Sequence, residues 1–172
     1  QHTNIMGVLT DAIPADQQRA VLERILDDSS LGQATYYYRF YLFEALRKVG
    51  AGDLFDKALE PWKDLVRDGL TTTLERMESE NKPTRSECHP WAAGPAYAYY
   101  TLVAGISPAE IGFRTIRFKP ELGTLKSIEG LYPHPEGDIA FSIRRKGKAL
   151  VADITLPEGI TGTAEINGKS VP

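Results

Sequence analysis

Between Gly69 and Pro95 a carboxylate, an imidazole and an indole fall within one stretch of largely polar chain. It reads Gly-Leu-Thr-Thr-Thr-Leu-Glu-Arg-Met-Glu from Gly69, then a polar loop, then Arg85-Ser86-Glu87-Cys88-His89-Pro90-Trp91-Ala92. Three successive threonines disfavour helix, because branching at Cβ stiffens each side chain against the preceding turn. Glu75 is therefore expected on a short extended segment, and His89 with Pro90 and Trp91 at the opening of the next helix. Connections longer than about 12 residues in compact domains usually carry function or are disordered. A carboxylate can take a proton from water, an imidazole can bond a hydroxyl, and an indole can stack on a pyranose face. Glu75, His89 and Trp91 together would make a sugar site.

Each group also has a plainer reading. A lone Glu after a Thr run is what a solvated surface charge looks like, and a His before Pro can be purely structural. Tyr36, Tyr37 and Tyr38 cannot all share one helical face, so at least one ring must leave the core. Tyr37 could line an aromatic cleft or be partly buried. His2, His134 and Cys88 show no metal-ligand or nucleophile spacing. Gly50-Ala51-Gly52 follows a helix rather than a strand, so it is no phosphate loop. No metal and no cofactor is expected.

The elements that must position these groups divide into two kinds. Val21, Leu22, Ile25 and Leu26 share a face after Pro14, with Asp16 as the expected cap. A second helix is expected from Tyr36 to Val49, stopped by Gly50 and Gly52. In the third, Leu54, Phe55, Ala58, Leu59, Trp62, Leu65 and Val66 keep helical spacing, and Pro61 predicts a kink or break near Glu60. The fourth should cover Ala92 to Val103 and close at Gly105. Short connections suit antiparallel helix hairpins stacked as in a bundle, solenoid or α/α barrel, here incomplete. From Ile111 the period changes to two: Ile116 and Phe118, then Ile139, Phe141 and Ile143, then Leu150, Ala152, Ile154 and Leu156. These short strands predict an antiparallel β-sandwich. The expected fold is α+β, with helices over residues 1–107 and the sandwich over 108–172.

Composition narrows the partners. The 172 residues are 42% apolar with 15 glycines, an ordinary globular mix. Twenty Lys and Arg against 23 Asp and Glu leave a charge of −3, with no basic surplus for nucleic acid. No apolar run reaches the roughly 18 residues a membrane span needs. One cysteine excludes an internal disulfide. The chain opens Gln-His-Thr-Asn with no initiator Met, and Glu165 to Lys169 reads as a strand entering an Asn-Gly hairpin turn near the end. The expectation is a piece of something longer; a processed mature protein is the alternative.

Gly69 to Arg76, followed by Ser86 to Ala92, resembles the C-terminal end of α-L-rhamnosidases, family 78 of the glycoside hydrolases. Tyr37 to Leu46 is similar to the helix those enzymes place before it, and Gly105 to Pro120 to their passage from barrel to C-terminal β domain. The resemblance runs from Gln1 to about Pro120 and more loosely beyond. It implies an (α/α)6 barrel followed by a β-sandwich, and inverting hydrolysis of terminal α-L-rhamnose. In the family a Gly-x-Thr-Thr-x-x-Glu segment carries the general base, here Glu75, and the histidine of Cys-His-x-Trp contacts the sugar, here His89. Trp91 and Tyr37 would line the same pocket. Two departures bear on the sugar: Leu74 stands where the family often has Trp, and the loop from Glu75 to His89 is short. The family's general acid lies on earlier barrel segments and has no counterpart in these residues.

The expected partners are a rhamnose-containing glycoside or oligosaccharide and the N-terminal remainder of the same enzyme. A periplasmic or secreted setting would suit the family. Competing readings are another (α/α)6 glycosidase or phosphorylase, or a non-catalytic module that binds glycan or scaffolds an assembly. In such a module Glu75 should face solvent or pair with Lys or Arg, with no concave surface beside it.

Overall fold

The computed structural model describes residues 1–77 and 83–172; the middle of the polar loop lies outside the described residues. The chain is α+β and divides into two compact units, Gln1–Ala98 and Tyr99–Pro172. The expected boundary at Ser107-Pro108 falls within a strand, Ile106–Pro108, that is paired along its whole length. The second unit therefore begins earlier, before the turn that leads into that strand.

The first unit is helical. It contains α1 (His2–Leu9), α2 (Ala15–Asp27), α3 (Arg39–Val49), α4 (Phe55–Ala58), α5 (Glu60–Arg67) and α6 (Gly94–Ala98). Apolar spacing does not mark α1, yet its Ile5 and Val8 are fully buried. Each of α1, α2 and α3 packs on the other two, and α3 also meets α4 and α6. Asp16 does not cap α2: Pro14 holds the cap position and Asp16 lies in the first turn. There its charge still favours the positive end of the helix dipole. The helix α3 starts at Arg39 rather than Tyr36, because the Thr35 hydroxyl accepts the Tyr38 N–H at 3.3 Å and holds a turn there. It ends where Gly50 turns left-handed at φ 69° and Ala51 N–H reaches the Leu46 carbonyl at 2.9 Å. The break near Glu60 is present: Leu59 separates α4 from α5, and Pro61 occupies the first turn of α5, where no backbone donor is lost. The expected fourth helix is divided into a 3₁₀ turn at Pro90–Ala92, α6, and a π-helical turn at Tyr99–Val103.

The second unit holds seven strands: β1 (Ile106–Pro108), β2 (Thr115–Phe118), β3 (Ser127–Tyr132), β4 (Ile139–Lys146), β5 (Ala149–Thr155), β6 (Thr161–Ile166) and β7 (Lys169–Val171). One sheet runs β1-β2-β6-β7, the other β3-β4-β5. Inward residues of both, Ile106, Ile116 and Phe118 with Ile139, Phe141 and Ile143, share one core, as in a sandwich. The sandwich is not wholly antiparallel. Strand β2 pairs β6 in parallel, Thr115 opposite Thr161 through Phe118 opposite Ala164. Between them the chain builds the entire other sheet, so β6 returns by crossover and not by hairpin. The Asn167-Gly168 turn forms as expected, with Asn167 left-handed at φ 54°. Its side-chain amide also pairs with both backbone groups of Leu150 at 2.9 Å, covering part of the β5 edge.

Candidate active site

Leu74 anchors the Thr-rich segment. It is buried in a small cluster with Tyr36, Leu65 and Ala92, against which Trp62, Leu70 and Met77 pack. The Trp62 indole N–H donates to the Ala92 carbonyl at 2.7 Å, and its ring lies edge-on to Tyr36. A groove of about 580 Å³ runs beside Leu74, lined by Tyr36, Leu65, Leu70 and Met77 together with Asp64 and Asp68. Helix α5 thus supplies part of the apolar support of the segment, through Leu65 and Trp62.

The threonines belong to neither helix nor strand; Thr72 and Thr73 clasp the His89 segment. Thr73 accepts the His89 N–H at 2.9 Å and its hydroxyl donates to the His89 carbonyl at 2.8 Å. The Thr72 hydroxyl donates to the Glu87 carbonyl, and Glu75 N–H to the Ser86 carbonyl at 2.9 Å. Arg76 donates to the Pro83 carbonyl through two nitrogens at 3.0 and 2.6 Å. Side-chain hydroxyls do here what a regular ladder does elsewhere. Thr73→Val keeps the shape but leaves the His89 carbonyl short of a donor. It should cost about 1 kcal/mol in urea unfolding, with Thr73→Ser costing less.

These bonds bring the four predicted residues together. Glu75 is 8% exposed. The Trp91 indole N–H donates to the Glu75 carbonyl at 3.3 Å, and the Trp91 ring lies 4.2 Å from His89 and 5.7 Å from Tyr37. Trp91 and Tyr37 are about half exposed, so their rings present a face to the exterior. The aromatic surface continues through Tyr41 and Tyr38 to His2, whose ring is 4.1 Å from Tyr38. Sequence reasoning missed Tyr38, Tyr41 and His2. Only the Tyr-Tyr-Tyr-x-x-Tyr spacing hinted at the first two, and nothing hinted at His2. Buried Arg39 holds the turn that carries these tyrosines, donating to the Ala34 and Ala58 carbonyls at 3.2 and 3.0 Å. Burial pulls its pKa down to about 10.

Arg85 was not anticipated as a site residue either. Its Nε donates to one Glu75 oxygen at 3.0 Å and an Nη donates to the other, a two-point fork on the carboxylate. That hydrogen bonding holds the Glu75 carboxyl below the usual carboxylate range against the opposing effect of burial, with smaller help from His89 and Arg76. A paired carboxylate is what a non-catalytic module would show. A carboxylate withdrawn from solvent beside three aromatic groups is what a sugar site would show. Among the described residues no group of three or more His, Cys, Asp or Glu could hold a metal ion, and no helix is long and apolar enough to cross a membrane.

The chain is an α+β protein with a two-sheet C-terminal unit and, in its helical unit, a paired carboxylate beside an aromatic surface. Comparison with known proteins is more specific. The family model of the bacterial α-L-rhamnosidase C-terminal domain matches residues 105–171, nearly all of the second unit. No curated protein matches the chain significantly. Among solved structures, the GH78 family rhamnosidase of Bacillus sp. GL1 is 27% identical with a TM-score of 0.75, over 95% of this chain and 19% of that one. The α-L-rhamnosidase of Dictyoglumus thermophilum is 21% identical with a TM-score of 0.77, over 94% of this chain and 20% of that one. The Streptomyces avermitilis α-L-rhamnosidase complexed with L-rhamnose shares 18% identity at a TM-score of 0.75, over 95% and 18%. The chain spans about a fifth of the length of these relatives. It is similar to the C-terminal portion of α-L-rhamnosidases, and the family-model match is confined to residues 105–171.

Proposed function

We propose that this chain supplies one of the two catalytic carboxylates of an inverting glycoside hydrolase that releases terminal α-L-rhamnose. The single observation that carries the reading is the seat of Glu75: buried, hydrogen-bonded into the His89 segment, and bonded through its carbonyl to Trp91, whose half-exposed ring meets His89 and Tyr37. Glu75 acts as general base, taking a proton from a water on one face of the ring. A general acid on residues outside this chain protonates the leaving oxygen on the other. His89 bonds a sugar hydroxyl, and Trp91 and Tyr37 stack on the ring. The helices of the first unit are part of an (α/α)6 barrel completed by the N-terminal remainder of the enzyme.

The test uses the enzyme that carries this chain, with an aryl α-L-rhamnoside as substrate. It should release rhamnose, and NMR of the first product should show the β anomer. Residues 1–172 alone should release none, because inversion needs a second carboxylate about 6.5–9.5 Å from the first. An α first product, or turnover by residues 1–172 alone, overturns the reading.

The pairing of Glu75 with Arg85 favours a second reading, a non-catalytic module that binds glycan. On that reading a Glu75→Gln enzyme keeps its turnover.

A further inference from the structure

We propose that Arg85 is a positioning residue for the Glu75 carboxylate, fixing the plane in which that group receives a proton from water. This rests on the reading of Glu75 as the base.

The geometry is a fork on a carboxylate. One guanidinium meets both oxygens, Nε with Oε2 and Nη2 with Oε1. Two parallel bonds of this kind define an orientation that a single bond or a point charge does not. They also leave lone pairs on each oxygen, so the carboxylate is oriented without being filled. The placement is asymmetric. Glu75 is 8% exposed while the Arg85 side chain is 70% exposed, so the arginine reaches the carboxylate from the outside. Arg85 follows Pro83 and Thr84 on a segment tied back by the Arg76 bonds to Pro83 and by the Ser86 carbonyl that accepts the Glu75 N–H. Arginine and carboxylate are therefore held on the two sides of one clasp. Besides Arg85, the charged or titratable groups acting on Glu75 are His89 and Arg76.

A base works only when ionised, so its activity is lost as pH falls through its pKa. Arg85 favours the ionised form. Removing it should raise that pKa and move the acid limb of the rate profile to higher pH.

The experiment measures kcat and KM against pH for the enzyme carrying this chain, as wild type, Arg85→Gln, Arg85→Lys and Glu75→Gln. Arg85→Gln should lose about ten- to a hundredfold in kcat, the worth of hydrogen bonds to a charged group, with KM changed less. Its acid limb should move to higher pH, because the carboxylate loses the partner that favours its ionised form. Arg85→Lys retains the charge but not the fork. Its acid limb should stay near wild type while its kcat falls between those of wild type and Arg85→Gln. Thermal melting checks that each variant is folded, and if Arg85→Gln is not, the Lys variant decides by its kcat. An unmoved acid limb with unchanged kcat in a folded Arg85→Gln enzyme overturns the proposal, as does a rise in kcat/KM, which would make Arg85 an obstacle. Full turnover in Glu75→Gln instead overturns the reading of the base, so the two failures are told apart.

Discussion

Replacing Glu75 by Gln in the enzyme that carries this chain is expected to lower kcat by about 10²- to 10⁴-fold, the range general base catalysis supplies. The substitution keeps the shape of the side chain and its backbone bond to the Ser86 carbonyl, while removing the negative charge and the basicity needed to take the proton. It disturbs the Arg85 fork, but the arginine is largely exposed and can turn to water, so folding should be unaffected. KM should change little, because the base acts in the transition state and binds the ground state weakly. Glu75→Ala opens the water's place to a small anion. Azide should then restore part of the turnover and yield the β-L-rhamnosyl azide, the inverted product. Near-wild-type kcat in the Gln variant removes Glu75 from the chemistry.

A change within the second unit is expected to be the most damaging to folding. Gly105 lies just before β1 in the left-handed region at φ 72°. A Cβ built on it would overlap the Lys119 carbonyl oxygen and stand 2.5 Å from Pro120 N. Those are backbone atoms, and the Lys119 N–H is already bonded to the Gly105 carbonyl at 2.8 Å, so neither partner can yield without parting the two segments. Gly105→Ala should cost about 1–2 kcal/mol for the backbone conformation, and a further 1–3 kcal/mol or so for the displaced chain. That is a large share of the 5–15 kcal/mol typical of whole domains. The buried Ile106 and Phe118, opposite each other in the β1–β2 pair, would be pulled apart. Urea unfolding should show a loss of about 2–5 kcal/mol in the second unit. A loss below about 1 kcal/mol would mean that the β1 and Lys119 segments are not held together as described.

Much of the site is legible in the order of the residues. The polar stretch after α5 marks itself by its length and threonine content, and Glu75, His89, Trp91 and Tyr37 do converge. Arg85 is not legible in the same way. Nothing in one residue's identity says that a neighbour ten positions away will be its partner, and an arginine in a polar loop reads as solvated. His2 escapes for a related reason, since its ring contact with Tyr38 depends on how α1 lies against the segment entering α3, whereas the Tyr38–Tyr41 contact is local and only hinted at by spacing.

Local physics decided the elements. Apolar spacing marked the cores of α2, α3 and the α4–α5 pair, Pro61 broke the last, and alternation marked β2, β4 and β5. Asn167-Gly168 placed the final turn, because a left-handed pair suits the hairpin twist. Tertiary structure alone decided the rest. It set β6 parallel to β2, since strand direction depends on the route of the intervening chain and leaves no mark in alternation. It turned the Thr72 and Thr73 hydroxyls onto the carbonyls of the His89 segment, and it brought a charged fork to the Glu75 carboxylate. Side-chain periodicity records which face of an element is buried, whereas pairing across long separations is fixed only when several buried faces are satisfied at once.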